Sequence, residues 1–357
     1  MRKFLFTAFV GFFTVLPTVA EELQYGRSVT DFASAPKVGG FVIGKYSYTD
    51  QDGKHDGDGF SQRLVRLYAD GSILKDFKYR VQIQINNASF HMKDYYVEWT
   101  HWKEFSVKVG QYKRAFLFEN PYNPWNVGFG DYSQITKKLS GMGDYCGEAS
   151  STGGRDQGIQ IQGDLFPVAD GYRLLHYQVQ LMNGQGINTG DANARKDVIG
   201  TLQLQPIKDL YIGVFGWMGN YTGENKNNDI VTVDRNRWAV SAKYEHNDWS
   251  ARVEYAHADG HKISEYNAGN GTFSGAGKAD GWYAAVGVPC NDWLKVYTKY
   301  DVYRDQASTE SMTAMYSIAP NFQIHKNLML QLQYNYVDYR PTSSHWNEVW
   351  AEVYFRF

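Results

Sequence analysis

Basic side chains are the residues of this chain whose chemistry points most directly to binding. They occur at alternate positions of strand-like segments and in one long polar segment, 113–154. Arg and Lys recognise anions through charge-assisted hydrogen bonds. The basic residues that we single out as candidates for reading the charge of a solute are Lys113 and Arg114 at the base of that segment, Lys137 and Lys138 further along it, and Arg66, Arg80 and Lys108 on strands.

Carboxylates accompany these basic residues. The segment 113–154 has a net charge of zero, because its basic residues are matched by Glu119, Asp131, Asp144 and Glu148. A dedicated phosphate site requires clustered Arg or Lys with few competing carboxylates. The sequence therefore does not identify the anion.

Patterns typical of catalysis or metal binding are weak. The His residues are scattered without metal-ligand spacing, and no nucleophile elbow, phosphate loop or dinucleotide fingerprint occurs. His176 and His257 lie in strand-like segments without an evident Ser partner, so we disfavour a hydrolase. We predict that the protein is not an enzyme and uses no cofactor or metal.

The N-terminus is typical of a secretory signal peptide. Arg2 and Lys3 precede an apolar stretch, 4–16, and small residues end at Ala20. We predict cleavage after Ala20 and a short periplasmic lead, 21–36. No later stretch has the ~20 consecutive apolar residues of a transmembrane helix. The near balance of 36 basic and 38 acidic residues gives no field that would attract nucleic acid.

From residue 37 to 357 apolar and polar residues alternate, as in YRVQIQI (79–85) and LMLQLQYNY (328–336). This period of two predicts β-strands, and the spacing of turn residues divides the region into sixteen. The joins alternate between short and long. Such sorting is typical of a membrane barrel, whose odd and even joins lie on opposite sides. We therefore predict an all-β, sixteen-stranded antiparallel transmembrane β-barrel in a bacterial outer membrane, with lipid around it.

The cost of charge in lipid assigns the two faces of each strand. In 77–86, Tyr79, Val81 and Ile83 share one face while Arg80 and Gln82 share the other. A basic residue at mid-depth in lipid costs ~2–4 kcal/mol, so the polar face must point inward. The same argument places the following polar residues inside: Lys108, Gln160, Gln162, Arg252, Lys299, Gln331 and Gln333.

Cys146 and Cys290 are the only cysteines. Export permits a disulfide, but on a barrel these residues fall in a long and a short join. We predict two free thiols, because Cα atoms more than ~7 Å apart cannot be bridged.

Residues 60–119 resemble the opening of the phosphate-selective porin O and P family. In that family an Arg-containing strand ends at Gly, an aromatic strand follows, and a Lys/Arg-Asp-x-Tyr segment precedes Gly-Gln-Phe-Lys. The matching residues here are Arg63, Arg66, Gly71, Tyr79, Lys93, Asp94, Tyr96, Gly110, Gln111, Tyr112 and Lys113. After Lys113 the family usually has Pro and Phe-Gly, whereas this chain has Arg114 to Leu117.

The resemblance implies a sixteen-stranded outer-membrane porin, usually a homotrimer, whose long third loop folds into the lumen and whose basic residues line an anion path. The segment 113–154 occupies the position of that loop. We therefore expect passive diffusion of small hydrophilic solutes, with a leaning to anions such as phosphate, through a constriction lined by the seven basic residues named above.

The loop aromatics leave a second interpretation open. They either pack the loop against the barrel wall or form a stacking surface for sugar rings, which would make a carbohydrate-selective channel. These residues are Phe116, Phe118, Tyr122, Trp125, Phe129, Tyr132 and Tyr145. A third possibility is an adhesin or structural barrel whose lumen the loop closes.

Overall fold

The structure is a computed structural model that describes residues 34–53, 58–86 and 89–357. The predicted signal peptide, 1–20, lies outside the described residues, as does 21–33 of the predicted lead.

Sixteen strands form one closed antiparallel barrel, as the alternation predicts. Consecutive barrel strands are paired, and the last closes on the first, where Phe41 lies opposite Arg356. The barrel strands are Lys37–Thr49 (β1), Gly59–Ile73 (β2), Phe77–Asn86 (β3), Ser89–Trp99 (β4), Ser106–Lys113 (β5), Arg155–Pro167 (β6), Arg173–Met182 (β7), Asp197–Ile207 (β8), Leu210–Met218 (β9), Asn236–His246 (β12), Trp249–Asp259 (β13), Lys278–Asn291 (β16), Leu294–Arg304 (β17), Met312–His325 (β18), Leu328–Tyr339 (β19) and Ser344–Arg356 (β20).

Two of the long joins contain small hairpins that the sequence does not predict. Asn220–Glu224 (β10) pairs with Ile230–Asp234 (β11), and Tyr266–Asn267 (β14) pairs with Thr272–Phe273 (β15). A short helix, Gln134–Leu139 (α1), lies in 113–154 and is capped by the Ser133 side chain.

Within the described residues, no helix combines the length and apolar character needed to span a bilayer.

The two faces of the barrel wall differ as the alternation predicts. In β19, Leu332 and Tyr334 are 41% and 43% exposed, whereas Gln331 and Gln333 are 1% and 4% exposed. The outer surface is therefore apolar and the inner surface polar, which is the arrangement that a bilayer requires of a barrel.

Two β-bulges turn additional basic residues inward. The register between β3 and β4 shifts between Gln82 and Ile83, and Lys93 is the extra residue. A second shift, between β1 and β2, makes Arg63 the extra residue. A bulge leaves one residue unpaired and interrupts the alternation. Both side chains therefore contact interior groups that strict alternation would deny them.

Candidate functional site

The segment 114–154 contacts buried side chains on strands all around the barrel. Five of its backbone N–H groups donate to carboxylates or amides of β7, β13, β17 and β19. The pairs are Ala115 with Gln180 at 2.7 Å, Phe118 with Glu254 at 2.7 Å, Glu119 with Glu254 at 2.9 Å, Gln134 with Asp301 at 2.9 Å, and Gly130 with Gln333 at 2.7 Å. The wall thus supplies the acceptors that an irregular buried backbone needs.

One side of this loop is apolar and packs against what we call the apolar wall, the inward faces of β7–β9, β12, β13 and β16–β18. Phe116, Phe129 and Ile135 of the loop are fully buried there. The wall alternates large side chains with alanines that make room for the loop. Its residues include Met182, Ile199, Phe215, Trp217, Ala239, Ala256, Ala279, Tyr283, Ala285 and Ala319.

Three arginines surround Trp217 and form ion pairs that involve both the first residues and the later residues of the loop. We call this group the arginine cluster. The guanidinium carbons of Arg114, Arg235 and Arg237 lie 4.9, 4.6 and 4.7 Å from the Trp217 ring centroid. Gly141, with φ of 92°, makes room, since a Cβ there would lie 2.0 Å from Nη1 of Arg114.

Buried carboxylates compensate the arginine cluster. The ion pairs are Arg114 with Glu148 (3.0 Å) and Asp156 (2.8 Å), Arg235 with Glu148 (2.6 Å) and Asp197 (2.6 Å), and Arg237 with Asp144 (2.5 Å). Burial raises the pKa of Glu148 although two arginines oppose the shift. Burial also disfavours ionised Asp144, but Arg237 outweighs it and lowers the pKa of that carboxyl.

The opposite side of the lumen, the inward faces of β2–β6, is what we call the polar wall. Several of its basic residues have carboxylate partners: Arg80 binds both oxygens of Asp70 at 2.7 Å, and Lys108 lies 3.5 Å from Glu98. Arg80 is 36% exposed at its side chain, whereas Lys108 is 16% exposed. These pairs give the wall polarity without a large net charge.

An exception is what we call the cation cluster: Arg66, Lys93 and Lys113. Arg66 donates to Gln84 at 2.7 Å, Lys113 donates to the carbonyl of Tyr122 at 2.8 Å, and Lys93 donates to the carbonyl of Ser151. Within the described part of the chain, none of the three has a carboxylate within ion-pair distance.

The three members of the cation cluster lie close enough to interact electrostatically. The Arg155–Asp94 pair, at 2.7 Å, lies beside them and adds no net charge.

Lys137 and Lys138 lie on α1. Lys137 pairs with Asp131 at 2.5 Å, and this contact raises the pKa of Lys137. Burial disfavours ionised Asp131, but Lys137 and Arg63 outweigh it and lower the pKa of Asp131 to about 2. Lys138 is exposed.

The structure separates the seven predicted site residues. It brings Arg66 and Lys113 together and leaves Arg80, Lys108 and Lys137 in individual ion pairs. The prediction that Arg114 lines a constriction is corrected: its side chain is fully buried and ion-paired in the arginine cluster. Residues that sequence reasoning missed are Lys93, Arg63, Arg235 and Arg237.

Most loop aromatics are not available to stack on a solute. Phe116, Phe118, Phe129 and Tyr145 are at most 6% exposed, so they pack the loop against the apolar wall. The inward residues Arg252 and Lys299 are likewise covered, since Arg252 donates to the carbonyl of Val127 at 2.5 Å and Lys299 lies over the Phe129 ring.

The structure leaves both cysteines as free thiols, Cys146 buried in the loop and Cys290 exposed near a short turn. Among the described residues, no group of three or more His, Cys, Asp or Glu side chains is arranged to hold a metal ion.

No family model and no curated protein sequence matches the chain. Solved structures do. The anion-selective porin from Comamonas acidovorans is similar over 91% of this chain and 100% of that chain, with a TM-score of 0.67 and 12% identity.

OmpF of Salmonella typhi, in complex with daunomycin, is similar over 90% of this chain and 97% of that chain, with a TM-score of 0.64 and 12% identity. The outer membrane channel DcaP of Acinetobacter baumannii is similar over 93% and 99%, with a TM-score of 0.60 and 14% identity. At these identities the likeness shows a shared barrel fold.

Proposed function

We propose that this protein is a bacterial outer-membrane porin through which small hydrophilic solutes diffuse passively, with a preference for small anions such as phosphate. The predicted signal peptide directs export, and the apolar outer surface suits lipid. The long joins, of which 113–154 is one, leave the barrel at the end that faces the cell exterior. The likeness in fold to an anion-selective porin and to an outer membrane channel supports this class.

The observation that carries the anion preference is the cation cluster. Arg66 and Lys93 are 6% and 2% exposed, and Lys113 is half-buried. Charges without a carboxylate partner are costly when water is excluded, so a small anion that passes close to the cation cluster would be stabilised by the field of all three side chains. The sites of Arg80 and Lys108 contribute less, because their own carboxylates compete for the anion.

The mechanism is sieving beside the loop. The loop fills the half of the lumen along the apolar wall, and solutes pass between its polar residues and the polar wall. Charge is then read by side chains at this narrowing, as in other pores. The loop-aromatic mechanism for a sugar channel is less well supported, because most of those rings are covered.

The test is current through the purified barrel in a planar bilayer, with the reversal potential measured across a KCl gradient. We expect stable conductance and a reversal potential on the anion-selective side, with the current reduced by inorganic phosphate. Folded barrel that conducts nothing would overturn the porin assignment. Cation selectivity would overturn the anion preference while leaving the porin assignment intact.

Assembly is tested separately. The resemblance implies a homotrimer, which native mass measurement in detergent would show as a mass three times that of the chain. A stable monomer that conducts would reject the trimer alone.

A further inference from the structure

A polar cavity of about 380 Å³ opens in the inner wall near the short turns that join β6 to β7 and β8 to β9. The strand register places Asp164, His176 and Gln203 side by side on β6, β7 and β8. Tyr172 and Tyr211 also line the cavity. Its volume lies at the lower end of the ~300–1,000 Å³ range of small-molecule pockets.

The cavity faces the lumen. Gln162 and Gln178 lie two residues from Asp164 and His176 on the same strand faces, and they bond each other at 3.0 Å. Further along these faces, Gln180 accepts a hydrogen bond from the loop residue Ala115. A solute that passes the loop would therefore enter the cavity along a row of amide side chains.

Several polar groups in the cavity remain available to a ligand. Nδ1 of His176 lies 2.6 Å from Asp164, which fixes the ring and leaves Nε2 directed elsewhere. Within the residues that the structure describes, three of these groups have no hydrogen-bond partner: Nε2 of His176, the Gln203 amide and the Tyr172 hydroxyl. Together they offer both donors and acceptors.

The charges of the cavity do not favour an anion. Its one arginine, Arg173, is already bound to Glu104 at 2.5 Å and to the carbonyl of Asp164 at 3.0 Å. The side chain of Asp164 is 48% exposed and contributes negative charge. The cavity therefore lacks the positive charge without a carboxylate partner that characterises the cation cluster.

We propose that this cavity is a binding site for a neutral polyhydroxylated ring, a sugar of about one hexose. Hydroxyl groups would pair with Gln203, Tyr172 and Nε2 of His176, while the faces of Tyr172 and Tyr211 supply apolar surface for the ring. The site rests on the proposed porin function in one respect only, namely that solutes reach it through the lumen.

The experiment is calorimetric titration of D-glucose into the folded full-length barrel in detergent, with inorganic phosphate as a second probe. We expect Gln203→Ala and Tyr172→Phe each to weaken glucose binding up to about tenfold, because each removes hydrogen bonds that the ligand makes. The matched control is Gln323→Ala, at the same end of the barrel on β18, where the amide donates to the carbonyls of His325 and Leu328. It should leave glucose affinity unchanged.

Absence of glucose binding to the wild-type barrel would overturn the proposal, and so would equal weakening by Gln203→Ala and Gln323→Ala. Phosphate that competes with glucose at this site would overturn the neutral-ligand assignment. Conductance in KCl, measured on the same preparation, separates the two proposals. A conducting barrel that binds no glucose rejects the cavity alone, and a non-conducting barrel that binds glucose rejects the porin alone.

Discussion

The apolar wall and the polar wall are made by the same alternating pattern, yet they turn different side chains inward. The apolar wall presents Phe215, Trp217, Tyr283 and several alanines, and the loop covers them. The polar wall presents Arg80, Lys108 and a series of glutamines, and part of it stays in contact with solvent. Alternation thus decides which side chains point inward, and the loop decides which of those can meet a solute.

This difference teaches that an inward charge is not by itself a pore residue. Arg114, Arg237 and Arg252 point inward, but each is covered and bound to loop or wall groups. Lys113 and Arg80 stay partly accessible. The two walls should therefore respond differently to mutation: stability changes on the apolar side, and selectivity changes on the polar side.

The largest effect is expected from Arg235→Ala, which removes the partner of Glu148 and Asp197 in the arginine cluster. Breaking a buried pair leaves an uncompensated charge, at a cost of about 3–5 kcal/mol. The free energy of unfolding, measured by denaturant titration in detergent, should fall by this amount. Arg173→Ala is the matched control, because its pair with Glu104 is partly exposed and should cost less than about 1 kcal/mol. Equal losses in both variants would contradict the distinction between a buried and a partly exposed ion pair.

A slightly smaller effect is expected from Phe116→Ala. This ring is fully buried between the loop and the apolar wall, 5.7 Å from Trp217. Truncating a buried Phe costs about 3–5 kcal/mol, and an irregular loop can relax into the space, so we expect about 3 kcal/mol. Phe60→Ala, at a residue 92% exposed, should leave the same unfolding measurement nearly unchanged. Little change in the Phe116 variant would mean that the loop is not packed as described.

On the polar wall, Lys113→Gln should alter selectivity more than stability. Removing one charge of the cation cluster lowers the anion-to-cation permeability ratio, so the reversal potential should move toward the cation side. Lys326→Gln, at a short turn, is the charge-matched control. Arg66→Gln should act in the same direction, and an unchanged reversal potential in both cluster variants would reject the cluster as the source of selectivity.

The smallest effect concerns the Asp131–Lys137 pair. Because the pKa of Asp131 is lowered to about 2 from its usual ~3.9, the pair stabilises the fold above about pH 4. That contribution is lost as the pH falls through about 2. Both side chains are over one-third exposed, so screening should keep the contribution below about 1 kcal/mol.

The measurement is the difference in unfolding midpoint between the wild type and Asp131→Asn, followed between about pH 5 and pH 2. The difference should shrink on acidification, and Lys137→Met should behave alike. A difference that grows as the pH falls would show that the pair is not a stabilising ion pair.

Much of the fold could be predicted from the sequence, because burial on one side of a strand imposes a period of two. All sixteen barrel strands can be predicted in this way; β19, for example, contains the alternating segment LMLQLQYNY (328–336). The hairpins of β10 with β11 and β14 with β15 are not predicted by the sequence. These segments are short and pair only with each other, so no barrel face imposes a pattern on them.

The candidate site was less predictable for two physical reasons. Lys93 and Arg63 face inward because bulges interrupt the alternation, and a bulge has no clear signature in this sequence. Arg114 was misjudged because its partners, Glu148 and Asp156, are brought beside it only by the folded path of the loop. Lys113 and Arg66 could be placed on inward faces from the sequence, because both follow a regular strand pattern.

The seam between β1 and β20 has a consequence for the order in which the molecule forms. It pairs residues from opposite ends of the chain, as where Val42 meets Phe355. The entropy of closing so long a loop makes such contacts slow to form. The arginine cluster joins residues nearer in sequence, such as Arg114 and Asp156, whereas Gly130 must reach Gln333. The base of the loop can therefore be anchored early, while its far half is fixed only when the late strands arrive and shut the barrel around it.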